Sequence, residues 1–298
     1  MTYFITVFSV TLVLAAQLSA QSWVRGALYL HAVEGEITLS ELGGEPSVLG
    51  AAQAPVAASG LATCSGEYGS SAFFSTSNRS HIYFEGTGSF AVERLEQIAP
   101  DQAVWEAEPQ EAGQSRMIIN FRAGTIISDN RNMIESSQCL VETPLGRLTV
   151  KRALWQMNIV FDPRSQIFDF RIICSSGRVR FTDLQGQHYT LRTGQRLVGA
   201  GSRMTPSIEV GEATDDSREQ MERYHDLANI YVDAGDELAL YLKRLQPIKK
   251  VVQSLSQDVV STESTRRPIV IEHASEPNPV TPFRGELAPP SEWQADFF

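Results

Sequence analysis

Cysteine is scarce in this chain: three among 298 residues. A disulfide-stapled miniature scaffold needs more of them, and a chain this long can build a core without staples. Long apolar runs are scarce as well. Phe4 to Ala16 is an uncharged, mostly apolar run of 13 residues, short of the roughly 20 that a membrane-crossing helix requires. Positive charge is in deficit, with 25 Lys plus Arg against 35 Asp plus Glu and a net charge of -10. Phosphate neutralisation needs a concentrated basic face, so the balance argues against a nucleic-acid binder. It also disfavours docking on an anionic lipid surface. Catalytic spacing is missing too. His31, His81, His188, His225 and His273 stand apart, with no H-x-H or i, i+4 pair, and read as ordinary surface or half-buried histidines rather than metal ligands. No G-x-S-x-G elbow and no phosphate-gripping loop occurs, and Gly43-Gly44 and Gly86-Thr87-Gly88 read as turns. No catalytic, cofactor-binding or metal-ligating residue is assigned.

What is present is enough apolar material for a core, at 42% hydrophobic and 20% charged residues, and length for two domains at most. The apolar run is followed by Gln17-Leu18-Ser19-Ala20, and the small Ala20 offers a cleavage point. This pattern predicts a secretory signal over residues 1–20, and hence a periplasmic or secreted protein. Left uncleaved, the same segment would hold the chain at the membrane. No Cys follows the run, so no lipid attachment is expected there.

From Val33 to about Gly201 the apolar period is two, with frequent turn signals. Glu36 to Leu39 alternates. Ala72–Thr76 and His81–Phe84 flank Ser77-Asn78-Arg79-Ser80 as a hairpin, and Ser89–Leu95 reads as a separate strand. Asp101 to Ser115, with acidic residues at Asp101, Glu106, Glu108 and Glu111, reads as a solvated loop. Met117–Phe121 and Gly124–Ile127 resume the strands. Asp162-Pro163-Arg164-Ser165 separates Asn158–Phe161 from Ile167–Ile172, and Asp183 to Gln187 separates Arg178–Thr182 from His188–Leu191. Many short antiparallel strands joined by tight turns predict a mainly β domain over 21–204, a sandwich or solenoid-like stack.

At Thr214 the period becomes helical. Asp215-Asp216-Ser217 opens a stripe of Met221, Tyr224, Leu227, Ala228 and Tyr231, the acids suiting the first turn. Beyond Gly235 the stripe continues with Leu238, Tyr241, Leu242 and Leu245. The helical segment is placed at 215–260. It either packs on the β domain or presents Leu238, Tyr241, Leu242 and Leu245 to a partner. Residues 261–298, rich in Pro and polar residues, read as a disordered tail, with Trp293, Phe297 and Phe298 as its unusual aromatic end.

Several motifs occur in a fixed order. Phe121-Arg122-Ala123-Gly124-Thr125-Ile126 resembles the "LRAGT" element of FecR-type extracytoplasmic domains, and Val141-Glu142-Thr143-Pro144-Leu145-Gly146 resembles their "V-x-T-P-x-G" turn. Asn158 to Pro163, Ser176-Gly177-Arg178-Val179, Thr193-Gly194-Gln195 and the opening Val33-Glu34-Gly35-Glu36-Ile37 are similar to further elements of that family. The resemblance covers a little over half of the chain. It implies an exported all-β interaction module without catalytic residues, with Gly124, Thr143, Pro144, Gly146, Trp155, Gly177 and Gly194 in structural roles. One departure stands out. Where the family has Gly-Thr-x-Phe, this chain has Arg152-Ala153-Leu154-Trp155. Trp155 fills the Phe slot, and either the backbone is reshaped at Arg152 or the position never needed Gly. The sigma-factor signalling segment of the family's sensors has no counterpart here, so that role does not carry over.

Cys174 shares a strand face with Phe168, Phe170 and Ile172, and Cys139 shares one with Val141 and Thr143. Three free buried thiols are expected, with a Cys139–Cys174 disulfide as the alternative. Functionally, the chain reads as a non-enzymatic binding or scaffold module for another protein or an envelope polymer. The alternatives are a self-assembling β protein stacking through sheet edges, and a carbohydrate hydrolase using carboxylates such as Glu85 and Asp169.

Overall fold

The computed structural model describes residues 23–99, 110–214, 218–231 and 246–247. The segment read as a signal, residues 101–109 of the acidic loop, Asp215–Ser217, the Leu238, Tyr241, Leu242 and Leu245 stripe, and the tail with its aromatic end lie outside the described residues. The strands are β1 (Trp23–Arg25), β2 (Ala27–Glu34), β3 (Ile37–Glu41), β4 (Ser47–Leu49), β5 (Val56–Ser59), β6 (Ala62–Gly66), β7 (Ser71–Thr76) and β8 (His81–Ile98). They continue as β9 (Ser115–Asp129), β10 (Gln138–Thr143), β11 (Gly146–Asp162), β12 (Ile167–Asp183), β13 (His188–Arg192), β14 (Gln195–Ser202) and β15 (Thr205–Glu212). A single 3-10 turn (Ala51–Gln53), helix α1 (Arg218–Tyr231) and a short β16 (Gln246–Pro247), paired with β1, complete the described elements.

Mainly β is the outcome, as the alternation predicts, but four of the strands are not short. β8, β9, β11 and β12 run 18, 15, 17 and 17 residues. Each bends midway and serves two layers. The first layer runs β5-β2-β7-β8-β9-β11-β12-β14-β15. The second runs β4-β3-β6-β8-β9-β10-β11-β12-β13. One continuous sheet is thus folded over on itself into a sandwich, with corners made by strands that switch layers. All of these pairings are antiparallel except β9 with β10, which is parallel. The sheet also extends through β15, past the domain boundary at Met204 read from the sequence.

The corners correct the reading of Gly86-Thr87-Gly88 as a turn. Both glycines lie inside β8 at positive φ, and the β8–β9 register shifts there. Gly124 in β9 and Gly177 in β12 bend in the same way, with φ of 97° and 84°. At Gly177 a Cβ would stand 2.2 Å from the Arg152 carbonyl oxygen. No larger residue fits that approach.

In β11 the corner residue is Arg152, at φ 44°. The left-handed turn is therefore kept by a side chain that disfavours it: the backbone is not reshaped, and the position does without glycine. Left-handed backbone costs a non-glycine residue roughly 1 kcal/mol. Arg152→Gly removes that cost but gives the unfolded chain more freedom, so stability is expected to hold or to rise by up to about 1 kcal/mol. A thermal melt giving a clear loss would show that the Arg152 side chain supports the corner.

Alternation along both layers points one set of side chains inward. Phe74, Phe84, Trp155 and Phe170 from the first layer meet Phe90, Phe121 and Phe181 from the second in one core, all at most 2% exposed. Ring pairs Phe74–Phe90 and Phe170–Phe181, 5.5 and 5.8 Å between centroids, join the layers. Burying such a ring contributes roughly 2–3 kcal/mol. The two outer faces then carry whatever the core does not, and they differ sharply.

Candidate interaction surface

The outer face of the first layer is apolar enough to need a cover. Phe73, Tyr83, Ile127 and Leu154 point outward from β7, β8, β9 and β11. Helix α1 lies on them through Met221, Tyr224, Leu227, Ala228 and Tyr231, the stripe read from the sequence. Polar contacts fix its register. The Tyr224 hydroxyl donates to Asp129 at 3.2 Å, Arg223 pairs with Glu34 and lies 4.0 Å from Glu85, and Gln156 donates to Gln220. Burial raises the carboxyl of Asp129, but Arg131, bonded to it at 2.6 Å, and the charge of His81 outweigh that and hold it below the usual range. This stretch of helix packs on its own domain.

Under α1 lie two histidines whose burial the sequence reading missed. His31 and His81 are 7% and 8% exposed. His31 bonds the Ser75 hydroxyl, and its ring lies 5.3 Å from that of Tyr231. His81 stacks on Phe73 at 6.1 Å and stands opposite Asp129 across the β8–β9 pair. Burial drives both pKa values down to about 4, reinforced at His31 by His81. At His81, Asp129 pulls upward while Arg79 and Arg131 add to the lowering. The available signal was the setting of His31 inside the apolar run Ala27–Val33.

The motif residues do not converge. Gly124 and Gly177 are corners. Thr143, Pro144 and Gly146 make the β10–β11 turn, where the Thr143 hydroxyl donates to the Gly146 carbonyl at 2.9 Å and Leu145 is buried. Gly194 turns β13 into β14, its N–H bonded to the Cys174 carbonyl at 2.8 Å. Trp155 is fully buried in the core. The three cysteines are free and buried, without the Cys139–Cys174 bridge. Burial pushes the Cys64 and Cys139 thiols up to about 12 and raises that of Cys174. Glu85 lines a polar cleft of about 310 Å³ with Gln156, Asn158, Arg171, Gln220 and Arg223, whereas Asp169 does not line it. Among the described residues no group of three His, Cys, Asp or Glu side chains is placed to hold a metal ion. No described helix is long and apolar enough to cross a membrane.

The outer face of the second layer has a different character. Val150, Val179 and Leu191 point into the core, so their strand neighbours point out. Pairing puts Lys151 opposite Arg178 and Arg178 opposite Arg192. The next row is Thr149, Arg180 and Thr190, and the next Arg147, Thr182 and His188. This block of nine positions holds five formal cations and no carboxylate. Like charges directly opposite destabilise a sheet. Arg147 is paired with Glu142 at 3.1 Å, and Lys151 donates to the Glu135 carbonyl at 3.2 Å. Arg178 and Arg192 are exposed, and their guanidinium groups form no ion pair or hydrogen bond among the described residues, the Arg192 backbone N–H donating to Gln195 Oε1 at 2.9 Å. Together with Lys151, Arg131 and Arg152 they line an open groove of about 740 Å³, in which Glu135 is the one acid among the described residues.

The sequence reading that no basic face is concentrated here is thereby corrected. The cations lie far apart along the chain, and only strand pairing assembles them.

No family model matches the chain, and no curated protein matches it. Among solved structures, two crystal structures of candidate anti-sigma factors from Parabacteroides distasonis ATCC 8503 are similar to it. The one at 1.65 Å aligns with TM-score 0.37 and 8% identity over 53% of this chain and 62% of that one. The one at 2.50 Å aligns with TM-score 0.32 and 6% identity over 47% and 54%. The chain spans less than two thirds of the length of either neighbour.

Proposed function

We propose that the chain is an exported, non-enzymatic binding module of FecR type, which holds a partner from the cell envelope on the outer face of its second layer. One observation carries the reading: the like-charge row Lys151, Arg178 and Arg192, cations facing cations across three strands. The fold gains nothing from that arrangement. Thr at two of the three positions would satisfy the strands equally well. A like-charge row that costs the sheet stability, with Arg178 and Arg192 in no ion pair among the described residues, is suited to an anionic occupant. The FecR-type resemblance and the secretory signal pattern support the setting outside the cytoplasm.

The test is retention of the full chain on native envelope fractions, compared with Arg178→Gln/Arg192→Gln. Retention of the unaltered chain and loss in the variant are expected. Equal retention of both, or release of sugars from the envelope by the purified chain, overturns the reading.

A further inference from the structure

We infer that the occupant of the cationic groove is a carboxylate-bearing polysaccharide, laid across β11, β12 and β13. This rests on the binding-module reading and adds the chemistry of the partner. Three features converge on the groove. The first is the like-charge row Lys151–Arg178–Arg192. The second is Arg152, held in the left-handed conformation at the corner that forms the groove wall. The third is the contrast with the whole chain, whose net charge is -10. A local excess of cations on an acidic protein is no device for solubility; it selects anions against the background field.

The lining decides which anion. Beside the charged groups, the described residues of the lining are Ser176, Gly177 and Thr193, with no aromatic or large apolar side chain among them. Protein partners draw much of their binding energy from aromatic anchors beside arginines, and among the described residues the lining has arginines but no aromatic anchor. Single-stranded nucleic acid needs aromatic platforms for its bases, and these are absent from the lining too. Duplex DNA carries one charge per roughly 1.7 Å, so the acidic remainder of the chain repels it strongly. A glycan with one carboxylate per sugar is a far weaker source of repulsion.

The spacing agrees. Adjacent strands stand about 4.8 Å apart, so the row presents a cation at intervals close to the length of one hexose unit. The planar guanidinium fork of arginine matches a planar carboxylate with two parallel hydrogen bonds.

The experiment measures binding of the full chain to polygalacturonate at fixed low salt, beside poly-L-glutamate, duplex DNA and neutral dextran. Polygalacturonate is expected to bind tightest, with affinity falling as salt rises. Arg178→Gln/Arg192→Gln should weaken it at least tenfold while melting no lower than the unaltered chain, because a repulsion has been removed. Arg164→Gln, in the β11–β12 turn away from the groove, should bind as before. Absence of binding, stronger binding to DNA or polyglutamate, or equal loss in Arg164→Gln each overturns the proposal. Where the chain is held by envelope fractions and yet ignores polygalacturonate, only the glycan assignment falls. Where neither holds it, the binding-module reading falls as well.

Discussion

Trp155→Ala is expected to remove a large share of the stability of the β domain, at a cost of about 3–5 kcal/mol. The indole is fully buried at the centre of the first layer, immediately past the β11 corner. Its Nε1 donates to Asn130 Oδ1 at 2.8 Å, and Asn130 is itself completely buried. That side chain also accepts from Ser128 and donates to Ser80 at 3.0 Å, while its backbone N–H donates to the Ala153 carbonyl. Truncation therefore opens a cavity and removes one donor from a buried polar network. Trp155→Phe separates the two contributions. It keeps most of the apolar contact and loses the hydrogen bond, so about 1–2 kcal/mol is expected. Against a usual total of roughly 5–15 kcal/mol, the alanine variant should unfold at much lower urea and the phenylalanine variant should stay folded. Equal midpoints for the two would show that the Asn130 bond, rather than ring volume, dominates.

What could be read in the sequence was what neighbouring residues decide. The β7–β8, β11–β12 and β12–β13 hairpins follow from alternation on either side of polar turns, and the α1 stripe from its helical spacing. What could not be read depended on partners distant along the chain. A glycine between two alternating runs looks the same whether the chain reverses there or merely bends. Gly86, Gly124 and Gly177 were therefore open to being taken as breaks, although continuous strands pass through them. The parallel β9–β10 pair leaves no local mark, because nothing near Gln138 fixes the direction of its neighbour. The Ser77-Asn78-Arg79-Ser80 turn reads as surface, yet Ser77, Asn78 and Ser80 are at most 1% exposed. They are satisfied by groups such as Gln97, Ser115 and Asn130. The cationic groove is the extreme case. Lys151, Arg178 and Arg192 each look like an ordinary outward residue of an amphipathic strand, and only the register sets them side by side.

Acid is expected to act first where α1 meets the sheet. His31 and His81 have folded-state values of about 4 against an ordinary 6.5, so between these limits the unfolded chain binds protons that the native chain refuses. Stability is then full above pH 6.5 and falls as the pH drops toward 4. The shift amounts to roughly 3 kcal/mol for one such histidine, and the pair costs more together than either alone. Asp129, whose carboxyl is held low by Arg131, retains its contribution through this window and loses it only below the ordinary range of an aspartate. Glu111 works in the opposite direction: burial raises its pKa, so protonation in the upper acid range relieves a penalty. One carboxyl does not offset two imidazoles. Urea unfolding from pH 7.5 to 4 should therefore show a steep loss of stability in the unaltered chain. His31→Gln/His81→Gln should flatten it, because Gln carries no proton to refuse. An unchanged slope in the double variant would place the acid sensitivity elsewhere. The geometry argues against that outcome, since the rings of Phe73 and Tyr231 lie against the His31 imidazole and Phe73 stacks on that of His81.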